Sequence, residues 1–299
     1  MTYAAIAIIM MICIISTAVS GSCDNGEQEP GEQSRASMLK DYVNKWALWD
    51  AEGQHLSMAE ILAIRKDYGA GIYFFREKAG RDIDLRKLKE SGLILVMTAH
   101  PGYYPFSSDA FLADEGKVRQ WAQKAAAEPY VDALALDVES ATATTRMYCI
   151  KILSEEAHKR GKLFHVVPHF GLDRWNDSEK HAVPEDYNKW ADIAWPWLYN
   201  KYRQPTYKEG LAKMLSDWKS GGVKIPIYPI FDWGRPDYGG TTAAEAAEAP
   251  SYLREHGVST VCLFQPHVSY REIAANADYR RLWNGLRDNY GASARASSP

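Results

Sequence analysis

Val131-Asp132-Ala133-Leu134-Ala135-Leu136-Asp137-Val138-Glu139-Ser140 is the stretch that decides how the rest of the chain is read. The apolar run from Ala133 to Leu136 has the character of a strand buried on both faces of a parallel sheet. Two carboxylates, Asp137 and Glu139, follow where that strand should end. Side chains alternate along a strand, so residues two apart point to the same face. Like charges held side by side are costly to bury unless their surroundings compensate them. Such a pair at the mouth of a barrel holds one acid protonated and the other ionised. The bland alternative is a strand end whose acids cap the next helix or pair with arginine. The pairing and its place favour catalysis.

Outward from this stretch, a strand-then-helix rhythm runs from about residue 42 to the C-terminus. Strands are expected at residues 46–49, 71–75, 93–97, 133–136, 163–167, 193–199, 225–231 and 260–264. A helix follows Ser57, which with Glu60 forms a capping box. Further helices are expected at 84–90 ending at Gly92, at 115–127, and at 144–159 closed by Gly161. Others fall at 207–219, at 243–255 with a break at Pro250, and at 278–289. Residues 171–190 form the longest connection. Eight strand–helix units in a single domain, residues 41–290, predict an α/β fold, a (β/α)8 TIM barrel. The prolines inside 193–199 and 225–231 fit poorly in central strands. An open doubly wound sheet is the alternative.

The bulk numbers agree with one large domain. The chain has 299 residues, 46% hydrophobic and 12% aromatic, enough for a generous core. Lys+Arg 35 against Asp+Glu 38 gives a formal charge of −3, and no basic run calls for nucleic acid. Ten Trp and eighteen Tyr are more telling, because flat rings stack on the apolar faces of sugars. Most such rings still serve core or rim packing. A polysaccharide or glycan is the expected partner.

Residues 1–22 read as a signal peptide. Ala4 to Val19 is almost unbroken apolar sequence, and Ser20-Gly21-Ser22-Cys23 follows. This resembles a bacterial lipoprotein signal, in which the cysteine becomes the lipidated first residue. Ser20 stands where Leu is usual, and no Lys or Arg precedes the apolar run. A plain secretory signal is the second reading and an uncleaved anchor the third. The expected place is therefore extracytoplasmic, with membrane contact only through a lipid at Cys23. Residues 23–40 are expected to be a flexible tether and residues 291–299 a disordered tail. Cys149 and Cys262 are expected as buried thiols rather than a disulfide.

In barrels of this kind the site lies at the C-terminal ends of the strands. Those ends bring Asp50, Arg76, Glu77, His100, Asp137, Glu139, His165, His169, Tyr199, Asn200, Asp232, Trp233, Gln265 and His267. Trp49, Tyr103, Tyr104 and Trp197 join them. Acids, amides and rings around a mouth suit glycoside cleavage, which needs an acid for the leaving oxygen and negative charge near the anomeric carbon. A metal held by His100, His165, His169 and His267 is the competing reading. Amidohydrolase-type barrels carry His-x-His on strand one, and here that strand ends Trp49-Asp50-Ala51. No metal and no cofactor are expected. No Gly-rich loop opens a helix after strand seven or eight, and no nucleophile elbow is present.

The strand-four ending resembles the Asp-x-Glu of glycosidases that use the substrate's own N-acetyl group as nucleophile. Family 18 chitinases carry Asp-x-x-Asp-x-Asp-x-Glu there, and Ala135 replaces the middle Asp in this chain. Family 56 hyaluronidases carry the shorter motif, which is more similar. Pro101-Gly102-Tyr103-Tyr104-Pro105-Phe106 resembles their Gly-Tyr-Tyr-Pro segment. Trp195-Pro196-Trp197-Leu198-Tyr199-Asn200 resembles their Trp-rich strand six, and Ile227 to Pro236 their strand seven. The chain departs from them in lacking their disulfides and the Trp that ends strand eight. Ser140-Ala141-Thr142 stands where Arg-Trp-Arg-Pro follows the acids. Family 25 lysozymes share Asp-x-Glu but also an Asp-Val-Ser motif missing here.

The resemblance implies a retaining, substrate-assisted glycosidase. In it Glu139 is the general acid and later the base. Asp137 stays ionised and orients the 2-acetamido group, and Tyr199 holds the acetamido oxygen. Trp197 and Trp233 form the floor of the −1 subsite, while Tyr103 and Tyr104 line neighbouring subsites. Asp50, Asp232 and Gln265 bind hydroxyls. Two rivals stand beside this scheme: a two-carboxylate glycosidase using Glu139 with Asp232 or Asp50, and a carbohydrate-binding lipoprotein without catalysis.

Overall fold

The computed structural model describes residues 30–50, 56–77, 83–100, 105–137, 143–168, 184–198, 206–231, 242–264 and 270–291. Its strands are β1 (Trp46–Trp49), β2 (Ile72–Arg76), β3 (Ile94–Ala99), β4 (Ala133–Asp137), β5 (Leu163–Val167), β6 (Ile193–Ala194), β7 (Trp197–Leu198), β8 (Ile230–Phe231) and β9 (Val261–Phe264). All pair in parallel in the order β6-β5-β4-β3-β2-β1-β9-β8-β7. The two ends of that order are neighbours in sequence, separated only by Trp195 and Pro196. β6 and β7 are therefore one rail, the expected sixth strand, interrupted where Pro196 has no N–H to give to the ladder.

Backbone bonds across that rail close the ring. Ala194 N donates to Pro226 O at 2.9 Å, Tyr228 N to Ala194 O at 2.9 Å, and Ile230 N to Pro196 O at 2.9 Å. On the other side Trp195 N donates to Val166 O at 2.9 Å and Trp197 N to Pro168 O at 3.2 Å. The expected seventh strand is regular only at its end, because Pro226 and Pro229 thin its ladder; an isolated bridge joins Ala194 to Ile227. The result is a (β/α)8 barrel, as the strand count predicted, and not an open sheet.

Alternation along the strands sorts the core into two shells. Ala47, Trp49, Phe74, Val96, Ala135, Val167, Trp195, Trp197 and Phe264 fill the barrel interior. Leu48, Tyr73, Phe75, Leu95, Met97, Leu134 and Val166 face the helices. Every residue of β4 is buried, which is what an unbroken apolar run demands of a strand covered on both faces.

The helices follow their local signals. Ser57 and Glu60 form both halves of a capping box before Met58–Tyr68. That helix stops at Gly69, which takes φ 73°, a left-handed conformation glycine adopts without a Cβ clash. Thr206 and Glu209 cap Tyr207–Ser220 in the same way. The expected 243–255 helix is two, Ala243–Ala246 and Ala249–Glu255, with Pro250 in the first turn of the second, where its missing N–H costs nothing. Short helices Asp109–Leu112, Pro184–Trp190 and Tyr270–Ala275 complete the outer layer.

The tether expectation needs correction. Pro30–Tyr42 is a helix, overlapping the polar stretch expected to be flexible to residue 40. Met38 and Leu39 pack against the interior cluster and Tyr42 is 1% exposed within it. Thr260 Oγ1 donates to Tyr42 O at 2.7 Å, tying the helix end to the segment before β9. Three apolar anchors in an otherwise polar sequence are too few to announce a helix by periodicity. Once the barrel offers its N-terminal opening, they seat one there as a plug. Cys149 and Cys262 are free and buried, as expected. Residues 1–29, with the expected signal peptide and Cys23, and residues 292–299 lie outside the described residues. No described helix is long and apolar enough to cross a membrane.

Candidate active site

Asp137 ends β4 on the interior register of Ala133 and Ala135, and it is completely buried. The pairing of β3 with β4 sets Ala99 opposite Leu136, so the next residues, His100 and Asp137, are lateral neighbours at the mouth. His100 Nε2 lies 3.4 Å from Asp137 Oδ2, within ion-pair range. One level deeper, Arg76 stands opposite Thr98, Thr98 opposite Ala135, and Ala135 opposite His165. Thr98 and His165 are also buried, so polar side chains are interspersed among the interior rings.

His165 has a defined state. Trp195 Nε1 donates to its Nδ1 at 3.2 Å, which leaves the ring proton on Nε2. Desolvation pushes its pKa down to about 3, with a small opposing pull from Asp192. It is a neutral imidazole across the physiological range. Tyr42 meets it edge-on at 5.2 Å. Such a group packs and hydrogen-bonds; it contributes no charge to Asp137.

Asp50 and Glu77 follow the other face. Asp50 is 2% exposed, and its Oδ2 accepts a hydrogen bond from Tyr73 Oη at 2.8 Å. Tyr73 belongs to the cluster under the helices. Glu77 accepts from Trp121 Nε1 and pairs with Lys124 Nζ at 2.6 Å, tying the end of β2 to the Glu115–Ala127 helix. Trp197 is fully buried, edge-on to Trp49 at 5.1 Å and to Phe264 at 5.2 Å. It lies among interior rings that carry the mouth. The remaining expected residues, Glu139, His169, Tyr199, Asn200, Tyr103, Tyr104, Asp232, Trp233, Gln265 and His267, lie outside the described residues.

No protein-family model matches the chain, and no curated protein matches it by sequence. Solved structures do. The PgaB (BpsB) glycoside hydrolase domain of Bordetella bronchiseptica superposes with a TM-score of 0.61 at 11% identity, covering 84% of this chain and 99% of that one. A class V chitinase of Pseudomonas fluorescens Pf-5 gives 0.59 at 13% identity, with 81% and 99% covered. An endo-β-N-acetylglucosaminidase of Cordyceps militaris gives 0.52 at 12%, with 85% and 94% covered. At these identities the likeness is one of fold, a barrel that these three glycoside-cleaving proteins share with this chain.

Two side chains gain meaning only in three dimensions. His100 was one of several strand-end histidines in sequence; the structure sets it against Asp137. Thr98 carried no signal at all, being a polar residue within an apolar strand, and it proves to sit in the interior layer below His100. Among the described residues no group of three His, Cys, Asp or Glu is placed to hold a metal ion.

Proposed function

We propose that the protein is a glycoside hydrolase that cleaves a polysaccharide containing N-acetylhexosamine, with retention and with help from the substrate's acetamido group. The observation that carries this reading is Asp137, a completely buried carboxylate on the inward register at the C-terminal end of β4. It supports a pair in which the deeper acid stays ionised while its neighbour two residues on, Glu139, exchanges protons. Glu139 protonates the leaving oxygen and then activates water. Asp137 orients the acetamido group and balances the charge of the cyclic intermediate, with Tyr199 on the acetamido oxygen. Trp197 and Trp233 underlie the −1 sugar, and Tyr103 and Tyr104 line its neighbours. Asp232 and Gln265 bind hydroxyls, whereas Asp50, held by Tyr73 on the helix side, supports the end of β1. The similarity of fold to an endo-β-N-acetylglucosaminidase and a chitinase is consistent with an N-acetylated substrate. The apolar N-terminal segment and Cys23 favour export and a lipid anchor.

The test is mass spectrometry of products after incubation with N-acetylated and non-acetylated polysaccharides. Wild type should cleave only the N-acetylated members, and Glu139→Gln none. Cleavage of sugars lacking the N-acetyl group would replace this scheme with the two-carboxylate one. Binding of oligosaccharide without product over long incubation would replace it with a carbohydrate-binding lipoprotein.

A further inference from the structure

We infer that His100 is the positioning residue of the site, holding Asp137 as an oriented carboxylate from the adjacent strand. This rests on the glycosidase reading for its consequence in turnover, but not for the contact itself. Asp137 is completely buried, and an ionised carboxylate there needs a cationic or hydrogen-bonding neighbour. His100 Nε2 stands 3.4 Å from Asp137 Oδ2, and its side chain keeps 12% exposure at the mouth.

The surrounding elements bring the following groups near the contact. On β5, Val167 lies opposite Asp137, and His165, one level deeper, is held neutral by burial. On β3, the residue below His100 is Thr98, uncharged. On β2, Arg76 stands level with Thr98 and brings a guanidinium to the interior register. Glu77 turns outward to Trp121 and Lys124, and Asp50 to Tyr73. Beyond β5, Trp195 brings an indole rather than a charge. Among the described residues, His100 is an ion-pair partner in lateral register with Asp137. A ring held by one strand against a carboxylate on the next fixes which oxygen faces the mouth, the requirement for holding an acetamido group in line.

Two measurements test this on the full chain. The first needs no substrate: the Nε2 resonance of His100 is read by nitrogen-15 NMR in wild type and in Asp137→Asn. The contact requires that resonance to move while that of His165 stays. An unmoved His100 resonance overturns the inference. The second compares His100→Gln, which keeps a donor, with His100→Leu, on a cleaved N-acetylated oligosaccharide. Loss of the polar contact to Asp137 predicts kcat down roughly tenfold or more in His100→Leu, KM within about twofold, and most of the rate regained in His100→Gln. Equal losses in both variants overturn it. Absence of turnover in wild type would remove the glycosidase reading and leave the resonance to decide the pair.

Discussion

Trp195 donates its indole N–H to His165 Nδ1 across 3.2 Å, inside the barrel where neither ring meets solvent. The bond fixes the tautomer, and desolvation keeps the ring uncharged down to about pH 3. An unfolded chain would take up that proton near pH 6.5.

The sign of the linkage follows. Between these two values the unfolded state binds one more proton than the folded state, so stability falls as pH drops from about 6.5 toward 3. The slope from this residue approaches about 1.4 kcal/mol per pH unit. His165→Gln keeps an acceptor for Trp195 and removes the titration. Denaturation curves between pH 7 and pH 4 should therefore be flatter in the variant by about one proton. Parallel curves would show that His165 is not buried neutral.

The carboxylates of the β4 end should separate activity from stability. Glu139→Gln is expected to lower turnover on the order of 10²-fold to 10⁴-fold, the range of general acid–base catalysis, with Tm nearly unchanged. Asp137→Asn should lose turnover as well, yet bind N-acetylated oligosaccharide with altered affinity, since its oxygen faces the acetamido group in the proposed scheme. Full turnover in Glu139→Gln would sink the assignment.

Tyr73 and Asp50 form a buried pair at 2.8 Å that joins β1 to β2 below the helices. Tyr73→Phe removes one donor from a carboxylate that is 2% exposed. The expected cost is about 1–3 kcal/mol in urea unfolding. Asp50→Asn, which remains able to accept from Tyr73, should cost less. The opposite ranking would mean that Asp50 draws its support from elsewhere.

The plug at the barrel's N-terminal opening is testable by truncation of one ring. Tyr42→Ala leaves a void next to His165 and the interior cluster, and is expected to lower stability by about 3–5 kcal/mol. A change below 1 kcal/mol would mean that the Pro30–Tyr42 helix is not part of the cooperative unit.

Much of this architecture is written in local patterns. The apolar runs of β1, β3, β4 and β5 stand where their composition places them, because a strand covered on both faces has no polar position to spare. Caps at Ser57 and Asp84 are equally local, each a side chain meeting a backbone N–H three residues away. The sixth strand was legible as a segment, but not as a rail broken at Pro196 and stitched to both neighbours. That stitching depends on carbonyls from Val166, Pro168 and Pro226, which come near only when the ring closes. The terminal helix hid for the opposite reason: its own sequence is polar, and the surface that orders it is made by residues far along the chain.

The candidate site divides the same way. Alternation along β4 put Asp137 on the inward face, and burial of the whole strand in a parallel barrel made it a carboxylate without water; both were fixed by nearest neighbours in sequence. Its partner was not. His100 meets Asp137 because the β3–β4 register sets Ala99 against Leu136, and a slip of one residue would have turned one of the two side chains outward. Asp50 was at a strand end like Asp137, yet Tyr73 captures it on the helix side. The sequence by itself determined the strand count, the barrel class and the inward carboxylate, since these rest on periodicity and composition. Only tertiary structure decided which groups share a hydrogen bond or a charge, since those distances follow from register and closure, properties of pairs of strands rather than of any one.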